Sequence, residues 1–285
     1  MSLNKATIED IISKKGKEKI TMLTCYDSSF ASIVDKTGVD ILLVGDSLAN
    51  VVLGLENTKE VSIREMINHT RAVVREAKKA LVVADMPYKS YQINKSKALY
   101  YAKKFIEEAG ADAVKIEWFK HCKDTTALLV KNNIPVMGHI GLTPQTADKL
   151  GGFRVQGKDA KKAAALLEEA KILSELGVFS IVIECVPTKV SQLITESIAI
   201  PTIGIGAGSA CDGQVLVLYD LLGLYSRLTP KFVRKYIDLA PLIDRAVKDF
   251  IDDVKEGRFP SSRESFSIKD EEMESLLSLL KRNPQ

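Results

Sequence analysis

The stretch Asp40-Ile-Leu-Leu-Val-Gly-Asp-Ser47 is an apolar run that stops abruptly at a carboxylate and a hydroxyl. A short apolar run bounded by turn formers is the pattern of a strand buried on both faces. An acid placed directly after it stands at the strand's C-terminal end, where the core stops and solvent begins. The pattern recurs in this chain. Leu81-Val-Val-Ala runs into Asp85, Ala113-Val-Lys-Ile into Glu117, and Ile181-Val-Ile into Glu184. Four carboxylates at the same ends of four parallel strands converge on one small volume.

Working outward, further strands are expected at 20–26, 136–140, 202–205 and 214–218, with the acid-tipped ones over 40–44, 81–84, 113–116 and 179–183. Helices are expected at 7–16, 28–36, 62–79, 94–109, 123–132, 159–176, 188–197 and 230–256. Thr7 reads as an N-cap, and Ser62-x-x-Glu65 as a capping box. Gly38, Gly110 and Gly177 each turn a helix into the next strand. Eight strands, most alternating with helices, give a closed parallel (β/α)8 TIM barrel. The interval between the last two strands is too short for a helix. A doubly wound open sheet is the competitor, but it places a glycine-rich phosphate turn after its first strand, where this chain has Asp27-Ser28. The loop over 141–157 exceeds a routine connection and reads as a lid.

The 285 residues lie close to the about 250 typical of such a barrel. One catalytic domain over 1–268, with an N-terminal helix, is expected. A tail over 269–285 is either a short helix or frayed. Forty basic against 37 acidic residues leave a net charge of +3, without the clustered basic face of a nucleic-acid binder. No apolar run approaches the about 18 residues of a membrane span, and the N-terminus lacks a signal peptide's apolar core. Cys25, Cys122, Cys185 and Cys211 are scattered, with no C-x-x-C pair. They read as free thiols in a reducing cytoplasm.

Catalytic side chains of a barrel come from the C-terminal ends of its strands. Asp46, Asp85 and Glu117 fit that rule. Three hard oxygen donors without histidine suit Mg2+ better than Zn2+, although any one strand-end Asp also serves as a helix N-cap. A divalent cation held there chelates a 2-oxo acid and stabilises its enolate. Lys115 lies two residues before Glu117, on the same inward face. It is either an ion-pair partner of those acids or a clamp for a substrate carboxylate. Glu184 is placed to be a general base, its pKa raised by burial, or else a helix cap or a hydrogen-bond acceptor beside the metal. His139 ends the fifth strand, either in the site or as a satisfied core residue. Ser47 offers a hydroxyl to a substrate carboxylate. The Gly204–Gly208 turn has the form of an anion-binding nest.

Several motifs together resemble the ketopantoate hydroxymethyltransferase (3-methyl-2-oxobutanoate hydroxymethyltransferase) family. They are Val44-Gly-Asp-Ser47, Ala84-Asp-Met-Pro87, Val114-Lys-Ile-Glu117, Gly138-His-Ile-Gly-Leu-Thr-Pro-Gln145, Gly151-Gly-Phe-Arg-Val-Gln-Gly157, Glu184-Cys-Val-Pro187 and Ile200-Pro-Thr-Ile-Gly-Ile-Gly-Ala-Gly208 with Asp212-Gly-Gln214. The resemblance runs in order from about residue 5 to 268. It implies a Mg2+-dependent barrel of the phosphoenolpyruvate mutase/isocitrate lyase-like superfamily. It implies hydroxymethyl transfer from 5,10-methylenetetrahydrofolate to 3-methyl-2-oxobutanoate, giving 2-dehydropantoate. By position, Asp46 and Asp85 match metal carboxylates that also meet the substrate, and Glu117 matches a third acid acting through water. Ser47, Lys115 and His139 match substrate-side positions, and Glu184 the proton acceptor. A cytoplasmic homo-oligomer, a homodecamer, is further implied. Departures are Ala49-Asn50, Trp118-Phe119-Lys120, Tyr219 before Asp220, and the segment over 224–228. A related Mg2+-dependent carbon–carbon lyase or mutase is the alternative, but its K-K-C-G-H-like cysteine motif is absent. A non-catalytic barrel would have been favoured by loss of an acid, and none is lost.

Overall fold

Each apolar run becomes a strand. The computed structural model describes residues 5–225, 227 and 230–282. Its strands are β1 (Ile20–Thr24), β2 (Ile41–Val44), β3 (Leu81–Asp85), β4 (Ala113–Glu117), β5 (Val136–Gly141), β6 (Ser180–Glu184), β7 (Thr202–Ile205) and β8 (Gly213–Leu216). All are parallel and follow chain order around a closed barrel, which β8 completes by pairing with β1 from Ile20↔Gly213 to Leu23↔Leu216. The helices are α1 (Ile8–Ser13), α2 (Ser28–Val34), α3 (Leu48–Val51), α4 (Ile63–Glu76), α5 (Tyr88–Tyr91), α6 (Lys95–Lys103), α7 (Cys122–Lys131), α8 (Ala160–Glu175), α9 (Thr188–Ser197), α10 (Leu218–Leu221), α11 (Ala240–Lys255) and α12 (Asp270–Arg282).

Strand alternation separates two cores. Met22, Ile41, Leu43, Leu81, Val83, Ala113, Met137, Val182, Ile203 and Val215 fill the barrel interior, joined by Ile11 of α1. The opposite parity (Leu42, Val44, Val82, Ala84, Val114, Ile116, Ile181, Ile183) packs outward with helix residues such as Met66, Val73, Phe105, Leu129 and Leu173. One or two further steps along the inward parity reach Asp85, Lys115, Glu117, His139 and Glu184. The same period that packs the core therefore delivers the polar layer above it.

Local chemistry sets the ends. Ser62 Oγ accepts the Glu65 N–H at 3.2 Å while Glu65 Oε2 accepts the Ser62 N–H at 2.7 Å, the expected capping box. The buried Asp35 carboxylate accepts backbone N–H groups of Lys78, Lys79 and Ala80 and so ties the end of α2 to the entry of β3. The helix expected over 94–109 is α6 followed by a π-helical turn, Lys104–Glu108.

Two expectations need correction. Residues 230–239 are not helical, and α11 begins at Ala240 with Pro241 in its first turn. Proline tolerates that position but clashes with a turn preceding it. The last strand is Gly213–Leu216 rather than 214–218, because the Leu218 N–H turns to Thr24 Oγ1 at 3.0 Å and opens α10. The tail is helical as α12. Residues 1–4 and 283–285 of the expected domain and tail, and Ser226 and Leu228 of the departing segment, lie outside the described residues.

The chain divides into two compact units between Tyr236 and Ile237. The first is the barrel. The second holds α11, whose Ile243, Val247, Phe250 and Val254 recur at helical spacing, and α12, with the Phe250 and Phe259 rings 5.5 Å apart. Among the described residues no helix is long and apolar enough to cross a membrane.

Candidate active site

A cavity of about 560 Å³ opens at the C-terminal ends of the strands, lined by Asp46, Ser47, Asp85, Lys115, Glu117, His139 and Glu184 together. All seven site residues expected from the sequence therefore share one volume. Strand register explains the convergence: Asp85 lies beside Lys115, and Glu117 beside His139. Gly45 ends the inward row of β2 without a side chain. A Cβ there would come 2.9 Å from Ser47 Oγ and 3.6 Å from Asp85 Oδ2.

The polar groups form one connected layer. Lys115 Nζ stands 2.7 Å from Asp85 Oδ1. Asp85 Oδ2 accepts the backbone N–H of Asp46 at 3.0 Å. Ser47 Oγ and Tyr26 Oη are 2.8 Å apart. His139 Nε2 lies 3.1 Å from Glu184 Oε2, and its Nδ1 lies 3.4 Å from Lys115 Nζ. Gln145 Nε2 donates to Asp46 Oδ2 at 2.8 Å and to Met86 O at 3.0 Å, and Gln145 N donates to Glu117 Oε2 at 3.0 Å.

Four carboxylates share this layer with one lysine, and burial there comes first in setting the protonation of Asp46, Glu117 and Glu184. Burial, then Asp85, pushes Asp46 up to about 7. Burial pushes Glu184 up to about 8, against the pull of Lys115. Burial and the Asp46 charge hold Glu117 well above the usual carboxyl range. Burial favours a neutral Lys115, but Asp85, Asp46 and Glu117 outweigh it and raise its pKa. Burial and the Lys115 charge keep His139 well below its usual value, so the ring is neutral. Its Nδ1 lone pair then faces the Lys115 ammonium and its Nε2–H faces Glu184.

Carboxylate oxygens are the donors available to a metal. Among the described residues no three His, Cys, Asp or Glu side chains are arranged to hold an ion by themselves. Asp46 Oδ2 is engaged by Gln145, Asp85 Oδ2 by the Asp46 N–H and Glu117 Oε2 by the Gln145 N–H. The oxygens not engaged in this way are Asp46 Oδ1, Glu117 Oε1 and Asp85 Oδ1, the last ion-paired with Lys115. The buried Asp85 Oδ1 has no hydrogen-bond partner beyond its ion pair.

The loop over 141–157 covers part of the cavity through Leu142, Pro144, Phe153, Arg154 and Val155. It is tied at one end to the last residue of β6, by Leu142 N–H to Glu184 O, and at the other to the residue after β6, by Gln156 N–H to Cys185 O, each 2.8 Å. The sequence reading gave no role to Gln145, Tyr91 or Tyr26. Gln145 lies inside a quoted motif, but nothing in a lone glutamine signals that its amide is buried.

Residues 5–262 match the ketopantoate hydroxymethyltransferase family. The chain belongs to that family. The 3-methyl-2-oxobutanoate hydroxymethyltransferase of Syntrophomonas wolfei subsp. wolfei is 52% identical over 263 residues, covering 92% of this chain and 95% of the relative. Two solved structures share the fold at low identity. A phosphonopyruvate hydrolase matches at 11% identity with a TM-score of 0.60, covering 97% of both chains. A 2,3-dimethylmalate lyase, a member of the PEP mutase/isocitrate lyase superfamily, matches at 12% identity with a TM-score of 0.54, covering 95% of this chain and 98% of that one. The family's barrel and its transferase activity agree with the expectation from sequence.

Proposed function

We propose that this cavity transfers a hydroxymethyl group to C3 of 3-methyl-2-oxobutanoate, giving 2-dehydropantoate, with 5,10-methylenetetrahydrofolate as the one-carbon donor. Family membership supports the activity. The observation that carries the mechanism is a single cavity joining a carboxylate raised to about 8, Glu184, to a lysine–aspartate cluster.

The residues fit Mg2+. One lysine cannot balance the carboxylates that line this cavity, and Asp46 and Asp85 supply hard oxygen donors, with Asp85 Oδ1 shared with Lys115, that suit an ion keeping water and substrate oxygens in its shell. Asp46 and Asp85 would hold it directly. Glu117, whose Oε2 accepts the Gln145 N–H at 3.0 Å, would act through water. Bound there, the ion would supply Lewis acidity to the substrate's keto oxygen, favouring loss of the C3 proton.

The chain's own groups do the rest. The Lys115 ammonium and the Ser47 hydroxyl, the latter backed by Tyr26, orient the substrate carboxylate. Glu184 removes the C3 proton, with neutral His139 beside its Oε2. The enolate carbon adds to a one-carbon unit at the oxidation level of formaldehyde, released from the donor with uptake of water. The proton on Glu184 returns to the new hydroxymethyl oxygen. Apolar wall residues such as Val182, Ile205, Val215 and Phe232 keep bulk water from quenching the enolate. The lyase alternative gains no support, because the K-K-C-G-H-like cysteine motif of such enzymes is absent from the sequence.

The test is product formation from keto acid, donor and Mg2+, followed by NMR for wild type and for Asp46→Asn and Asp85→Asn together. Dehydropantoate from the wild type alone supports the reading. Its absence from the wild type, or its formation by the double variant, overturns it. The homodecamer implied by the resemblance is checked by sedimentation, which should show one species of ten chains.

A further inference from the structure

We propose that Gln145 is the positioning residue of the acid cluster: its buried amide sets which oxygen of Asp46 faces the cavity, and Tyr91 sets the amide's direction. The proposal rests on the cation reading above and adds residues that reading does not use.

Gln145 is 2% exposed, and every polar atom of its side chain is engaged. Nε2 donates to Asp46 Oδ2 at 2.8 Å and Met86 O at 3.0 Å. Oε1 accepts from Tyr91 Oη at 2.6 Å and from Gln92 Nε2 at 3.1 Å. Its backbone N–H reaches Glu117 Oε2 at 3.0 Å. One residue on the loop after β5 thereby touches the ends of β2, β3 and β4.

The direction of the amide follows from its partners. Met86 O is a carbonyl and only accepts, so nitrogen must face it, and the second N–H then points at Asp46. Tyr91 enforces the same choice from the other side. Its oxygen accepts the Glu117 N–H at 3.1 Å, which leaves the phenol proton for Gln145 Oε1. Held at Oδ2, the Asp46 carboxylate presents Oδ1 to the cavity.

The residue type is matched to the task. A lysine or arginine would reach Asp46 but bring a positive charge into competition with a divalent cation. A glutamate would set oxygen against both Asp46 Oδ2 and Met86 O. An asparagine is one methylene too short to span the same partners. Only glutamine donates twice and accepts twice across this distance without charge.

The experiment is Mn2+ binding, read by electron paramagnetic resonance without substrates, for wild type, Gln145→Leu and Tyr91→Phe. Melting curves confirm that each variant is folded. Partners that orient ligating carboxylates typically contribute about 10- to 100-fold in metal affinity. A weakening of about that size is expected for Gln145→Leu and a smaller one for Tyr91→Phe. With Mg2+ titrated in the assay, the metal activation constant should rise in both while kcat at saturating metal largely recovers, a split that general destabilisation does not produce. If Gln145→Leu does not fold, Tyr91→Phe decides. Wild-type Mn2+ affinity in the folded variants overturns this proposal alone. No Mn2+ binding by the wild type overturns the cation reading, and this proposal with it.

Discussion

At the scale of single residues, the site is a problem of charge in a dry volume. Glu184 is the group whose protonation decides the chemistry. Its active form is the carboxylate, and burial has pushed its pKa up to about 8. The exchange of the substrate's C3 proton should therefore rise with pH and level off at or below about that value, since a bound dication can only pull the carboxyl down. Stopped-time NMR across pH 5–9 reads the limb. Glu184→Gln keeps the shape and removes the base, so exchange should fall by at least about 100-fold while keto acid binding, measured by calorimetry, stays near wild type. Equal exchange in that variant would remove Glu184 from the role. The acids were legible in the sequence because each follows an apolar run directly, and a strand's end fixes where such a residue goes. Gln145 and Tyr91 were not. A buried amide and a buried phenol leave no periodic trace, and their roles come from partners on four separate segments.

Among the elements, the strands were legible because a doubly buried strand has a composition that few other structures share. The long helices were legible from their caps and terminal glycines. The four-residue helices α3, α5 and α10 were not, since one turn has no periodicity to read. The non-helical course of residues 230–239 depends on Pro241 and on tertiary placement. The junction of β5 with the loop over 141–157 shows how tightly an element's end is specified. Gly141 has φ of +92°, and a Cβ there would meet Glu184 O at 2.3 Å. Gly141→Ala should destabilise the protein by at least about 2 kcal/mol and lower activity further by displacing Glu184. Denaturant melts paired with kcat measurements check both effects. A variant with wild-type stability and kcat would mean that the loop does not hold β6 as described.

Across the whole molecule, one end of the barrel is built for chemistry and the other for stability. At the N-terminal end, Asp212 joins α1's exit to β7. Its carboxylate meets Lys15 Nζ at 2.8 Å, the Thr202 N–H at 2.9 Å and the Gly16 N–H at 3.2 Å. Burial raises its pKa, but Lys15 and those N–H groups outweigh it and hold the carboxyl below the usual range. A depressed folded-state pKa contributes stability above the unfolded value, and loses it as pH falls through the folded one. Asp212→Ala should therefore cost about 3 kcal/mol at neutral pH, with the gap from wild type closing below about pH 4. A gap independent of pH would assign the loss to packing. Closure of the barrel was legible from eight strands, most of them alternating with helices. The division at residue 236 was not, because it reflects how segments pack and not how they are composed.

The most direct measurement of the proposed chemistry is proton NMR of 3-methyl-2-oxobutanoate in D2O with the protein, with and without Mg2+, in the presence of tetrahydrofolate. The methine signal should disappear and the methyl doublet collapse only when protein and Mg2+ are both present. Persistence of the methine under those conditions, or its loss at the same rate without Mg2+, would contradict metal-assisted enolisation at C3.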